Sequence, residues 1–155
     1  MGTLDSKQKK LKKYGKIYIG GSFDLFHPGH VELLRHAKSL ADYVIVALNT
    51  DEFHKKYKGS VPILSLEERM IMVDACRYVD EVDINDGDED STKTILRHMP
   101  DAILHGDDWV GNSLMQQMNL TEEFLKQNNI TMIYTPYFAS ISSTDIKNRI
   151  KNQCL

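Results

Sequence analysis

Apolar positions along the chain change their period several times. Residues 16–21 (KIYIGG) are a short run of β-formers ended by glycines, which predicts a strand. From 28 to 41, Val31, Leu33, Leu34, Ala37 and Leu40 recur at helical spacing while Arg35 and Lys38 fall elsewhere. Pro28 suits only the first turn of that helix, where its missing N–H has no intrahelical acceptor to lose. Residues 43–48 (YVIVAL) are continuously apolar, the pattern of a strand buried on both faces and hence of a parallel sheet. Further helices are predicted over 65–76, 91–98, 121–128 and 143–151, and short strands over 81–84, 102–105 and 131–134. Strands alternate with helices throughout, so the expected fold class is α/β, a doubly wound parallel sheet of about five strands. Residues 1–15 are polar and basic and read as a flexible tail before one domain over 16–155.

The unusual residues cluster after strands. GSFDLFHPGH follows the first, NTDEFHKKYKG the second, HGDDW the fourth and PYFASISSTD the fifth. In an open α/β sheet all four segments leave the carboxyl edge, where ligands bind. Neither GxGxxG nor GxxxxGK[ST] occurs, yet the first segment suits phosphate. Gly20, Gly21 and Ser22 let the backbone approach an anion, and the following helix directs free N–H groups at the same place. His27 stands at the helix entrance and His30 in its first turn, both able to donate to phosphoryl oxygens. No metal site is expected, since HExxH and CxxC are absent. The acidic run 83–90 places Gly87 fifth rather than sixth, which fails a calcium loop. Lys55, Lys56 and Lys58 read as a mobile loop, Arg77 as the end of a helix, and Ser142 to Asp145 as a capping box.

Bulk properties narrow the classes. The 155 residues suit one core, and 41% apolar with 26% charged residues is ordinary for a globular domain. A net charge of −3 argues against a nucleic-acid partner held by a broad basic surface. No apolar run reaches membrane-span length, and the Lys-rich start lacks the apolar stretch of a signal peptide. Cys76 and Cys154 form no metal or redox spacing, which fits reduced thiols in a cytoplasmic protein.

With those motifs in view, GSFDLFHPGH resembles the HxGH signature of the nucleotidyltransferase superfamily. RYVDEV (77–82), GDDW (106–109) and ISST (141–144) follow in the order found in cytidylyltransferases, most similar to the glycerol-3-phosphate group. The resemblance spans about 16–150 and implies a Rossmann-like domain of the HxGH type. It also implies CMP transfer from CTP to a small phosphorylated alcohol, with release of pyrophosphate by direct in-line attack. His27, His30 and Lys58 would be catalytic. Gly21, Ser22, Phe23, Asp24, Gly29, Gly106, Asp107, Asp108, Trp109, Ile141, Ser142, Ser143 and Thr144 would bind the nucleotide. Lys55, Arg77 and Tyr137 would bind substrate. Mg²⁺ would arrive with CTP, and the resemblance implies a homodimer.

The last motif departs from the family. Where the family reads RTxGIS, this chain has Tyr137 in place of the arginine and Ser140 in place of the glycine. Tyrosine supplies neither the charge nor the fork geometry of arginine, so Lys58, Lys55 and Arg149 are candidates to compensate. Phosphonate-associated cytidylyltransferases also carry tyrosine there, so a phosphonate such as 2-aminoethylphosphonate is an alternative acceptor, beside other polyol or amino-alcohol phosphates. An adenylyltransferase and an inactive nucleotide-binding regulatory module are the remaining alternatives. The segment 110–119 is longer than the family pattern and a candidate to shape the acceptor pocket.

Overall fold

The computed structural model describes residues 11–87, 89–106, 112–136 and 141–154, with the backbone alone over 112–114. Five strands, β1 (Tyr14–Gly21), β2 (Ala41–Asn49), β3 (Glu81–Asn85), β4 (Ala102–Gly106) and β5 (Thr131–Thr135), form one sheet in the order β3-β2-β1-β4-β5. Every neighbouring pair is parallel. The apolar run of β2 shows why: Val44, Val46 and Leu48 enter the core on one face, Ile45 and Ala47 that on the other. Such a strand is stable only between two helical layers.

One layer is built from α1 (Pro28–Leu40), which buries Leu34 and Ala37, and α3 (Leu66–Asp74), which buries Val73. On the opposite face, Ile95 of α4 (Thr92–His98) and Leu125 of α6 (Glu122–Gln127) join Met118 and Leu120. Each fully buried Leu or Ile contributes about 1.5–3 kcal/mol relative to exposure. The chain winds from β1 to β3, then crosses to β4 and β5, so β1 and β4 flank the switch point where loops diverge and a crevice opens. The remaining helices are α2 (Asp51–Lys58), α5 (Asn112–Gln117) and α7 (Ser143–Gln153).

Four differences from the sequence reading have local causes. The lysine-rich loop is in fact α2. Thr50 Oγ1 accepts from Phe53 N–H, Asp51 and Glu52 occupy the first turn, lysines the last, and Gly59 closes it at φ 82°. The first strand begins at Tyr14, and Lys12 donates to the carbonyls of Lys38 and Ala41, so ordered packing starts before residue 16. The long segment 110–119 contains α5. Finally, α3 ends at Asp74, so Arg77 lies past the helix in a turn, with its guanidinium 5.7 Å from the centroid of the Tyr78 ring.

Candidate active site

The ends of the strands surround a cavity of about 470 Å³. Its first wall is the loop between β1 and α1. Phe23 and Leu25 both sit at positive φ, 52° and 50°, a conformation that non-glycine residues hold only when the surroundings over-determine it. Asp24 supplies much of that constraint. Its buried carboxylate accepts from Leu25 N–H at 3.0 Å, Ile63 N–H at 2.8 Å and Leu64 N–H at 3.0 Å. Ser143 Oγ donates to the Asp24 carbonyl at 2.8 Å. Arg69, fully buried on α3, donates to the carbonyls of Ser22 at 2.8 Å, Asn49 at 3.0 Å and Leu64 at 3.2 Å, and pairs with Asp51 at 2.6 Å. One guanidinium thus joins the ends of β1 and β2.

The two histidines cap α1 reciprocally. Gly29 N–H donates to Nδ1 of His27 at 3.1 Å, and His27 N–H donates to Nδ1 of His30 at 3.2 Å. An Nδ1 that accepts a backbone proton carries none of its own, so each neutral ring holds its proton on Nε2. The rings stack 3.8 Å apart, with Phe23 and Phe26 at 5.0 Å and 5.5 Å from His30. Burial and the neighbouring His27 push the pKa of His30 down to about 3, and burial lowers that of His27. Both rings are therefore uncharged Nε2–H donors near neutral pH. Gly29 has no room for a side chain: a Cβ there would lie 2.9 Å from His27 Cε1 and 3.1 Å from the Ile141 carbonyl.

That carbonyl belongs to the second wall, the start of α7. Ser142 and Asp145 form the expected capping box, with Asp145 N–H donating to Ser142 Oγ at 3.1 Å and Ser142 N–H to the Asp145 carboxylate at 2.8 Å. These bonds hold the Asp145 pKa below the usual carboxylate range. The N-termini of α1 and α7 thus meet at one cavity, lined also by Lys58 and Lys147.

The cavity gathers most of the expected residues. His27, His30, Lys58, Gly21, Ser22, Phe23, Asp24, Gly29, Gly106, Ser142, Ser143 and Thr144 line it. Ile141 lies outside the lining, with its carbonyl beside Gly29. Lys55 and Arg77 are exposed and lie outside its lining. Asp107, Asp108, Trp109 and Tyr137 fall outside the described residues. Several lining residues were not anticipated. His54 and Tyr57 project from α2, with His54 Nδ1 2.6 Å from Ser22 Oγ; burial lowers the His54 pKa. Their spacing with Lys58 on one helical face was the available signal. Asn49, Asn85, Ser91, His105 and Lys147 line the cavity as well.

Similarity to known proteins agrees with this geometry. Residues 18–149 match the cytidylyltransferase-like family model. The chain is 38% identical over 135 residues to the glycerol-3-phosphate cytidylyltransferase of Bacillus subtilis (strain 168), covering 87% of this chain and 96% of that one. It is 46% identical over 91 residues to the ethanolamine-phosphate cytidylyltransferase of Arabidopsis thaliana, covering 58% of this chain but 22% of that protein. Among solved structures, a lipopolysaccharide core biosynthesis protein from Thermoplasma volcanium GSS1 superposes with a TM-score of 0.66 at 22% identity, over 81% of this chain and 99% of that one. That last likeness is one of fold. The sheet order, the paired histidines at a helix entrance and the match across nearly the whole domain together place this chain in the cytidylyltransferase-like family of nucleotidyltransferases.

Proposed function

We propose that the protein transfers the cytidylyl group of CTP to a small phosphorylated alcohol, giving a CDP-alcohol and pyrophosphate. A phosphate oxygen of the acceptor forms a bond to the α-phosphorus as the bond from that phosphorus to the bridging oxygen of the β-phosphate breaks. Pyrophosphate leaves with that oxygen, and no enzyme-bound intermediate forms. Catalysis is then positioning plus stabilisation of charge on the phosphoryl oxygens. The observation that carries this reading is the pair of backbone-fixed Nε2–H imidazoles between two helix N-termini. Neutral rings donate without first taking up a proton, so His27 and His30 remain donors across the physiological range.

Lys58 and Lys147 add positive charge for the triphosphate. With Tyr137 in place of the family arginine, Lys147 is the compensating cation best supported by its place in the cavity, whereas Lys55 and Arg149 lie outside its lining. Asp24 acts as a positioning residue, because its carboxylate holds three backbone N–H groups. Magnesium belongs to the substrate as Mg·CTP, bound by phosphate oxygens. Asp107, Asp108 and Trp109 are assigned to the base and ribose, and a homodimer with Arg77 near its contact to the subunit belongs to the same reading.

Pyrophosphate release from CTP and from ATP, measured with Mg²⁺ across a panel of alcohol phosphates and 2-aminoethylphosphonate, tests it. CTP-dependent release abolished by His30→Ala is expected. ATP turnover would favour an adenylyltransferase, and tight CTP binding without release from any acceptor would favour a regulatory module.

A further inference from the structure

The cavity wall at the ends of β2 and β3 carries a different chemistry. Asn49 and Asn85 are register partners at the last position of each strand, both buried. Asn85 Nδ2 donates to Asn49 Oδ1 at 3.1 Å and to Ser91 Oγ at 3.2 Å, while Asn85 Oδ1 accepts from Thr94 Oγ1 at 3.2 Å. Asn85 therefore uses both ends of its amide within the network. Asn49 contributes to it only its carbonyl oxygen, and Ser91 only a lone pair. What these two retain at the cavity is the amide N–H pair of Asn49, the hydroxyl proton of Ser91 and the second lone pair of the serine oxygen.

Two further observations set this region apart from an ordinary strand end. Ser91 occupies the N-cap of α4, where a serine normally bonds the helix backbone, yet its side chain makes no cap bond. Close by, Tyr18 is fully buried, and among the described residues its hydroxyl has no hydrogen-bond partner. A Cβ at Gly20 would lie 3.8 Å from that hydroxyl and 3.8 Å from Met118 Cε, and both Gly20 and Met118 line the cavity.

We propose that Asn49 and Ser91, held by Asn85, form the subsite for the alcohol part of the acceptor and select a neutral polyol phosphate over an amino-alcohol phosphate. The proposal rests on the cytidylyl-transfer reading and specifies its acceptor. A hydroxyl both donates and accepts, so it satisfies an amide N–H and a serine together. An ammonium group has only protons to offer, so even when it bonds the serine oxygen it leaves the Asn49 amide protons unpaired, in a cavity that already holds Lys58 and Lys147. Sites built to bond a substrate hydroxyl discriminate strongly against analogues that lack it, because their own polar groups are left unpaired.

Initial rates of pyrophosphate release at saturating Mg·CTP, with glycerol 3-phosphate and ethanolamine phosphate compared, test this directly. The wild type is expected to favour the polyol at least about 10-fold in kcat/KM. Asn49→Asp keeps the acceptor for Asn85 but presents a carboxylate, and it should move the ratio about 10-fold or more toward ethanolamine phosphate through the acceptor KM. Ser91→Ala should raise the KM for glycerol 3-phosphate several-fold and leave that for ethanolamine phosphate unchanged. In both variants the KM for CTP should hold within about twofold. Preference of the wild type for ethanolamine phosphate, or variants that change both acceptors and CTP alike, would overturn the subsite while leaving cytidylyl transfer standing. No release from any acceptor is a separate result: it would overturn the transfer reading and the subsite with it.

Discussion

The paired histidines of α1 and the paired asparagines of β2 and β3 face one cavity, yet the chain assembles them by different routes. His27 and His30 are three residues apart, and each ring is oriented by a backbone N–H of its own turn. Asn49 and Asn85 are 36 residues apart and meet because two parallel strands end in register. The first pair is fixed by local sequence, the second by topology. Chemistry held locally survives perturbation of the wider fold better than chemistry held by register.

The sharpest way to separate the two is His30→Ala. Removing one Nε2–H donor should lower kcat by about 10²- to 10³-fold. The helix loses one cap interaction, a matter of about 1 kcal/mol, so the protein should stay folded. Steady-state kinetics alongside a thermal melt check both halves of the statement. A small rate loss would remove the histidine end from the centre of the reaction.

Arg69→Met attacks the link between the two regions. The side chain is fully buried and bonds the carbonyls at the ends of β1 and β2 together with Asp51. Removing it leaves those acceptors and the Asp51 charge without their partner, and the expected loss is about 3–5 kcal/mol. Against a typical total of about 5–15 kcal/mol that is severe. Urea denaturation measures it. Were the loss below about 1 kcal/mol, the two regions would be independently held, and the comparison would sharpen into two separate units.

What the sequence made legible follows the same division. The alternation of strands and helices, the carboxyl-edge crevice, the histidine pair and the Ser142 capping box all depend on short-range pattern, and the structure has them where expected. The helix α2 was legible too, from Thr50, Asp51 and Glu52 at one end and Gly59 at the other, but the run of lysines reads as solvated loop and outweighed them. Asn49 and Asn85 each end a strand (VALN and VDIN), and nothing in one segment says that the other lies beside it. Arg69 sits in EERM, where a charged residue reads as surface; only the three-dimensional meeting of three carbonyls explains its burial.

A gentler perturbation is pH. His30 is held neutral in the fold, with a pKa of about 3, against an ordinary value of 6.5 in the unfolded chain. Between those values the unfolded state binds the extra proton and the folded state does not. Stability from this ring is therefore complete above about pH 6.5 and declines as pH falls toward 3. The loss is on the order of 1–2 kcal/mol, since water at the cavity face offsets part of the burial. In a chain of this size that lowers Tm by roughly 2–8 °C. Melts of the wild type and His30→Gln across pH 4–7 should diverge, with the glutamine variant flatter. The Asn49 wall carries no titrating group and should add nothing to the slope.

The smallest expected effect bears on the missing family arginine. Lys147 lies one helical turn beyond Ser143 on α7 and lines the cavity, so its ammonium adds charge where the triphosphate is proposed to lie. As a flexible point charge beside water, it holds phosphate less firmly than a bidentate guanidinium. Lys147→Met should therefore raise the KM for CTP several-fold, roughly 1 kcal/mol, with kcat little changed. Lys147→Arg should keep the KM at or below the wild-type value. A fall in kcat without a change in KM would instead place this lysine on the transition state, beside the histidines. An unchanged KM would leave the charge opposite CTP to Lys58 and the two helix N-termini. The acceptor's kinetics separate these outcomes from the asparagine wall: if that wall is a distinct subsite, Lys147→Met leaves the preference between glycerol 3-phosphate and ethanolamine phosphate where it was.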